Sequence, residues 1–115
     1  LLQVASPEAT AIELVGYQKH AGGLDNVATV LSELAETLSS SMLAEEATRF
    51  PVAWAQRLGY LLDLVEQYSV TGLLLEFVEA RARRIAPLEA ALPRKGAPRS
   101  QKWKLAINSE VEPDL

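Results

Sequence analysis

The residues of this chain that could do chemistry are few, and most stand apart from the partners that chemistry needs. His20 is the single histidine, placed between Lys19 and the pair Gly22-Gly23. A catalytic histidine needs an orienting carboxylate and a nucleophile or proton target within reach. Nothing in the sequence puts either beside it, so it reads as an exposed turn histidine. Asp63 with Glu66, and Glu76 with Glu79, are carboxylates three residues apart and share a helix face, and Glu45-Glu46 is a third acidic pair. A hard cation takes about six oxygen ligands. No loop here supplies them, so these pairs read as solvated helix faces. There is no cysteine, which excludes disulfides and thiolate metal ligands and fits a reducing compartment. With no glycine-rich phosphate loop either, the sequence assigns no catalytic residue, no cofactor and no metal ligand.

The positive charges are more concentrated. The net charge is −4, yet residues 1–80 carry three basic side chains, Lys19, Arg49 and Arg57, against eleven acidic ones. Residues 81–104 carry eight basic residues against Glu89 alone. An acidic body is thus followed by a basic C-terminal third. Arg81, Arg84, Arg94, Lys95, Arg99, Lys102 and Lys104, with Trp103 among them, form the candidate surface for a polyanion or partner. The loop PRKGAPRS at 93–100 is the best placed of these to meet a phosphate backbone. Single-strand binders usually pair their cations with several stacking aromatics, whereas Trp103 is alone and reads as core. The preferred reading is that the basic segment complements the acidic helices of its own chain. Nucleic acid is the alternative partner. Trp54 and Arg57 are a second candidate interface, because tryptophan and arginine are typical interface anchors. The competing reading of Arg57, inside the most apolar helix, is a structural ion pair with a glutamate.

These side chains must be held by helices. The stretch PVAWAQRLGYLLDLVEQY, residues 51–68, has Val52, Ala55, Leu58, Leu62 and Val65 on one stripe, with Leu61, Leu64 and Tyr68 widening it. It is expected to be the central helix, covered from two sides. Before it, Ser6-Pro7-Glu8 reads as an N-cap, a first helical proline and an acidic first turn. Gly22-Gly23 reads as a helix stop. Leu24, Val27, Ala28, Leu31, Leu34, Ala35 and Leu38 give a second helix with one apolar face. Ser39 or Ser40 caps a short third helix over 42–49, and Thr71 caps a fifth running to Arg83 or Arg84. Leu2 and Val4 suggest an edge strand, residues 85–88 another, and KWKLAIN at 102–108 alternates in the manner of a half-buried strand. The expected fold is mainly α (α+β): a bundle of about five helices with a two- or three-stranded sheet built from the N- and C-terminal segments.

At 115 residues and 49% hydrophobic, the chain suits one domain with one core. No apolar run approaches the ~20 residues of a membrane helix, and no basic-plus-apolar leader precedes the first helix. The expectation is a soluble, cytoplasmic protein with no membrane partner. Because the first residue is Leu1, the chain is also expected to be a piece of a longer protein.

Four stretches in order, SPEATAIELV (6–15), GGLDNVATVLSEL (22–34), AQRLGYLLDLV (55–65) and WKLAINSEVEPDL (103–115), resemble the C-terminal domain of AbiEi-family antitoxins, from bacterial type IV toxin–antitoxin and abortive-infection systems. Where family members often have Asp-Pro before the third helix, this chain has Ser39-Ser40, which keeps the capping chemistry. The resemblance implies a non-enzymatic domain that follows an N-terminal winged helix-turn-helix. In the family, that upstream domain binds operator DNA and represses its own operon. The C-terminal domain is needed to counteract a nucleotidyltransferase-like toxin, which is implied as a functional partner rather than a stable contact. It carries over no catalytic residues.

Overall fold

Local capping signals start the fold where the sequence places them. In the computed structural model, which describes residues 6–115, Ser6 caps α1 (Pro7–Gly16) by accepting the Ala9 N–H at 3.1 Å, and Pro7 occupies the first helical position. Glu8, in the first turn, is buried, and its Oε2 accepts the Ser39 N–H at 2.8 Å. That bond ties α1 to the start of α3 (Ser40–Ala47), whose own N-cap is Ser39. Gly22 and Gly23 both take positive φ, 85° and 87°, and lead into α2 (Gly23–Leu34). A cap without a side-chain bond is tolerated there because Asn26 Nδ2 donates to the Ala21 carbonyl and closes the turn.

The central helix is α4 (Val52–Leu64), which touches α1, α2, α3 and α5 (Gly72–Arg81). Ala55, Leu58, Leu61 and Leu62 are buried among Ile12, Leu31, Leu43 and Leu74 in one continuous core. The helix ends earlier than its apolar pattern predicts. Glu66 adopts φ 62°, and the N–H of Gln67 reaches back to the Leu62 carbonyl at 2.8 Å, a left-handed stop. Tyr68, expected to widen the buried face, lies beyond this stop and is 58% exposed, and Leu64, the last helical residue, is 38% exposed. Likewise α5 stops at Arg81, short of the expected end, because Ala82 turns to extended geometry (ψ 124°) to bury its methyl group.

Three two-residue strands follow: β1 (Ala86–Pro87), β2 (Arg99–Ser100) and β3 (Leu105–Ala106). Their order is β1-β3-β2, with β1 parallel and β2 antiparallel to β3. All three come from the C-terminal third; the strand expected over Leu2 and Val4 lies outside the described residues. The strict alternation expected over 102–108 also fails. Lys104 has φ 54°, so the chain turns before β3, and Leu105 and Ala106 are both buried between the flanking strands.

What fixes this sheet to the helices is a seam on α4. Gln56, Gly59 and Asp63 recur at three- and four-residue spacing and so share a face. Buried Gln56 donates its amide to the carbonyls of Lys104 at 2.8 Å and Trp103 at 3.2 Å. The Trp103 ring lies directly on Gly59, where any Cβ would overlap it. Its indole Nε1–H donates to Asp63 Oδ2 at 2.8 Å. Trp103 is 1% exposed, as its core assignment predicts.

Candidate functional site

The chain leaving α5 and the paired strands gather cations around one slot with no acid in its lining. Buried Ala82 anchors the connector, β1 lies parallel to β3, and Arg99 pairs with Ala106 in the register of β2. Arg83, Arg84, Arg99 and Lys104 thereby surround a slot of about 450 Å³, completed by Ile85, Ser100 and Gln101. Ser100 Oγ accepts the Trp103 N–H at 3.2 Å, which holds the slot's wall to the seam. Arg83 was not among the cations singled out from the sequence, although the run RARR carries the signal.

The expected set divides. Arg94 Nη1 donates to the Ile85 carbonyl at 2.9 Å, and Lys104 Nζ to the Ala82 carbonyl at 3.0 Å. Arg81 lies 5.4 Å from the centre of the Phe77 ring. Lys102 Nζ meets Asp63 Oδ2 at 2.6 Å and sits 5.5 Å from the Trp103 ring. Arg84, Lys95 and Arg99 are exposed, and among the described residues their side chains have no hydrogen-bond or carboxylate partner. A neighbouring cavity of about 530 Å³ brings Arg94, Lys95 and Arg99 together. Among the described residues, the complementarity expected between basic and acidic parts is thus confined to Lys102. The other cations bond backbone carbonyls, lie on an aromatic ring or face solvent.

Trp54 and Arg57, three residues apart on α4, lead to different surroundings. Trp54 rests on Gly16, meets Tyr17 edge-on at 5.3 Å and stacks on Phe50 at 5.5 Å. Tyr17 is 57% exposed, so the aromatic cluster reaches the surface. Arg57 Nε donates to the Pro87 carbonyl at 2.8 Å, where a glutamate contact was expected. Burial pulls its pKa below the usual arginine value, and the charge of nearby Glu89 partly opposes that shift. Asp63, read from sequence as a solvated face, instead gathers Trp103, Lys102 and, at 3.3 Å, the Thr71 hydroxyl. Sequence reasoning passes over Gln56 and misreads Asp63 because their partners lie 40 to 48 residues away. No group of side chains suited to a metal ion occurs among the described residues. No helix among them is long and apolar enough to cross a membrane.

A family model described as the AbiEi antitoxin C-terminal domain matches residues 2–64. Among solved structures, the fold is similar to that of the RV2827C protein from Mycobacterium tuberculosis. The TM-score is 0.68 and the identity 19%, over 90% of this chain and 35% of that one. The chain thus spans about a third of that protein's length. No curated protein matches it.

Proposed function

The chain belongs to the AbiEi antitoxin C-terminal domain family, and from that premise we propose that it is the neutralising domain of a type IV antitoxin, acting without chemistry of its own on the effect of a nucleotidyltransferase-like toxin. In this reading it follows an upstream winged helix-turn-helix domain in a longer protein that represses its own operon. The observation that carries the reading is the family match over 2–64, the stretch that builds α1 to α4. The helical layer is then the scaffold, and the exposed cations and aromatics of the surface are its working groups. Growth rescue tests it: this fragment, and separately the longer protein, are expressed beside the toxin gene of the same operon. Rescue by the fragment is expected. Rescue by neither would overturn the antitoxin reading.

A second reading is favoured by one feature, the slot of Arg83, Arg84, Arg99 and Lys104 with no carboxylate in its lining. Here the domain assists nucleic-acid binding through its basic end. Its affinity should fall steeply with salt, since each phosphate neutralised releases a counterion. Charge reversal at Arg84, Lys95 and Arg99 should abolish the binding and flatten the salt dependence. Salt-independent binding would exclude this reading.

A further inference from the structure

Between the α1–α2 turn and the segment after β1 lies a cavity of about 440 Å³, lined by Arg57, Lys19, His20, Gln18, Tyr17 and Glu89. It lies apart from the basic slot and shares no residue with it. Arg57 reaches it from the rigid central helix with Nε fixed on the Pro87 carbonyl, so the plane of its guanidinium is set. Its two terminal amino groups have no acceptor among the described residues. No buried side-chain nitrogen or oxygen among them lacks a partner, so these amino groups are not sealed in the core, and Arg57 is part of the cavity's lining. Glu89, the carboxylate in the same lining, is engaged by other donors: both its oxygens accept the Gln18 amide at 3.0 Å, and Oε1 also accepts the Ala91 N–H at 3.4 Å. Arg57 and Glu89 accordingly form no ion pair.

We propose that this cavity is a carboxylate-binding site, in which the two free amino groups of Arg57 take an organic monocarboxylate side by side. A planar guanidinium fork with two parallel donors matches the two oxygens of a carboxylate. Phosphate fits less well: Arg57 and Lys19 set against Glu89 leave one net positive charge, which a monocarboxylate balances and a phosphate dianion exceeds. Four N–H groups of the turn are also spent on its own carbonyls, those of Tyr17, His20, Ala21 and Gly23 bonding Glu13, Tyr17 and Gln18. Buried Val15 and Leu88 supply an apolar floor for the body of the acid, and exposed Tyr17 a flank.

The carboxylate can come from a free organic acid or from an Asp or Glu of a protein segment, and the same titration separates them. The ¹⁵N-labelled protein is titrated with acetate, phenylacetate, an N-acetylated Asp/Glu-rich peptide and inorganic phosphate, following the Arg57 Nε–H, His20 and Trp54 indole signals. Saturable shifts with the carboxylates, and weaker binding of phosphate, are expected. Arg57→Lys should weaken binding at least about tenfold, and Glu89→Gln should tighten it. Lys19→Glu, at the exposed rim, should weaken it several-fold with the fold unaltered. A peptide at least about tenfold tighter than phenylacetate identifies a protein source; equal or tighter binding of phenylacetate identifies a free acid. No saturable shift with any carboxylate, phosphate binding as tightly as the acids, or undiminished affinity in folded Arg57→Lys and Lys19→Glu variants would each overturn the proposal. The site does not depend on the antitoxin reading, which growth rescue tests separately.

Discussion

Residues 99–105 face two ways, and the two sides use basic and aromatic chemistry to opposite ends. Toward α4, Trp103 and Lys102 are absorbed by Gly59 and Asp63, and the neighbouring carbonyls by Gln56. Away from it, Arg99 joins Arg83 and Arg84 around a slot with no acid in its lining. A cation paired within its own chain is less available to partners, even where, as at Lys102, the side chain is 47% exposed. A cation held in the open contributes little to stability and remains available. Net charge cannot distinguish the two; only placement does.

Substitutions should divide along the same line. Trp103→Ala removes the ring from the seam and is expected to cost the most, about 3–5 kcal/mol, read as a lowered denaturation midpoint; a loss below 1 kcal/mol would mean that the seam does not hold the sheet. Gly59→Leu places a side chain where the ring lies and should cost on the order of 1–3 kcal/mol by overpacking, so an unchanged melting temperature would refute the contact. Asp63→Ala leaves the buried indole N–H without its acceptor, a cost of about 1–3 kcal/mol, and should be largely non-additive with Trp103→Ala in a double-mutant cycle.

Smaller effects probe the rest of the boundary. Burial pushes the Tyr60 phenol above its ordinary 10.0. The unfolded chain therefore releases this proton at lower pH than the fold does, and the fold loses stability as pH rises past 10. Tyr60→Phe should reduce that alkaline loss, measured as the change in midpoint between neutral pH and about pH 11; an identical loss in both proteins would show that the phenol is not desolvated. On the outward side, Arg84→Glu and Arg99→Glu should change stability by no more than about 0.5 kcal/mol. A larger loss would place these arginines with the seam.

The helices were legible because their signals are local. Ser6-Pro7 and the apolar spacing of α2 each act within one or two turns, and the structure caps α1 at Ser6 and buries Leu24, Val27, Ala28 and Leu31 as expected. Yet α2 ends at Leu34, and the glycine pair opens α2 rather than stopping α1, which ends at Gly16. The seam was not, because a glutamine and an aspartate at the side of a helix look solvated until a distant tryptophan covers them. The sheet was only partly legible. Alternation in KWKLAIN assumes extended backbone throughout, and a left-handed Lys104, supported by Gln56 on its carbonyl and Ala82 on its ammonium, interrupts it. Of the candidate site, the composition marked the basic end of the chain but could not separate Arg84, Lys95 and Arg99 from cations bonded within the chain.

The indole bond from Trp103 to Asp63 spans forty positions of chain. Proteins emerge from the ribosome N-terminus first, at about 5–20 residues per second. All five helices leave before the residue that covers Gly59, so for a few seconds the nascent domain carries an open groove along its central helix. A message truncated ahead of the Trp103 codon would leave that groove uncovered for the life of the polypeptide, a natural mark for proteolytic clearance.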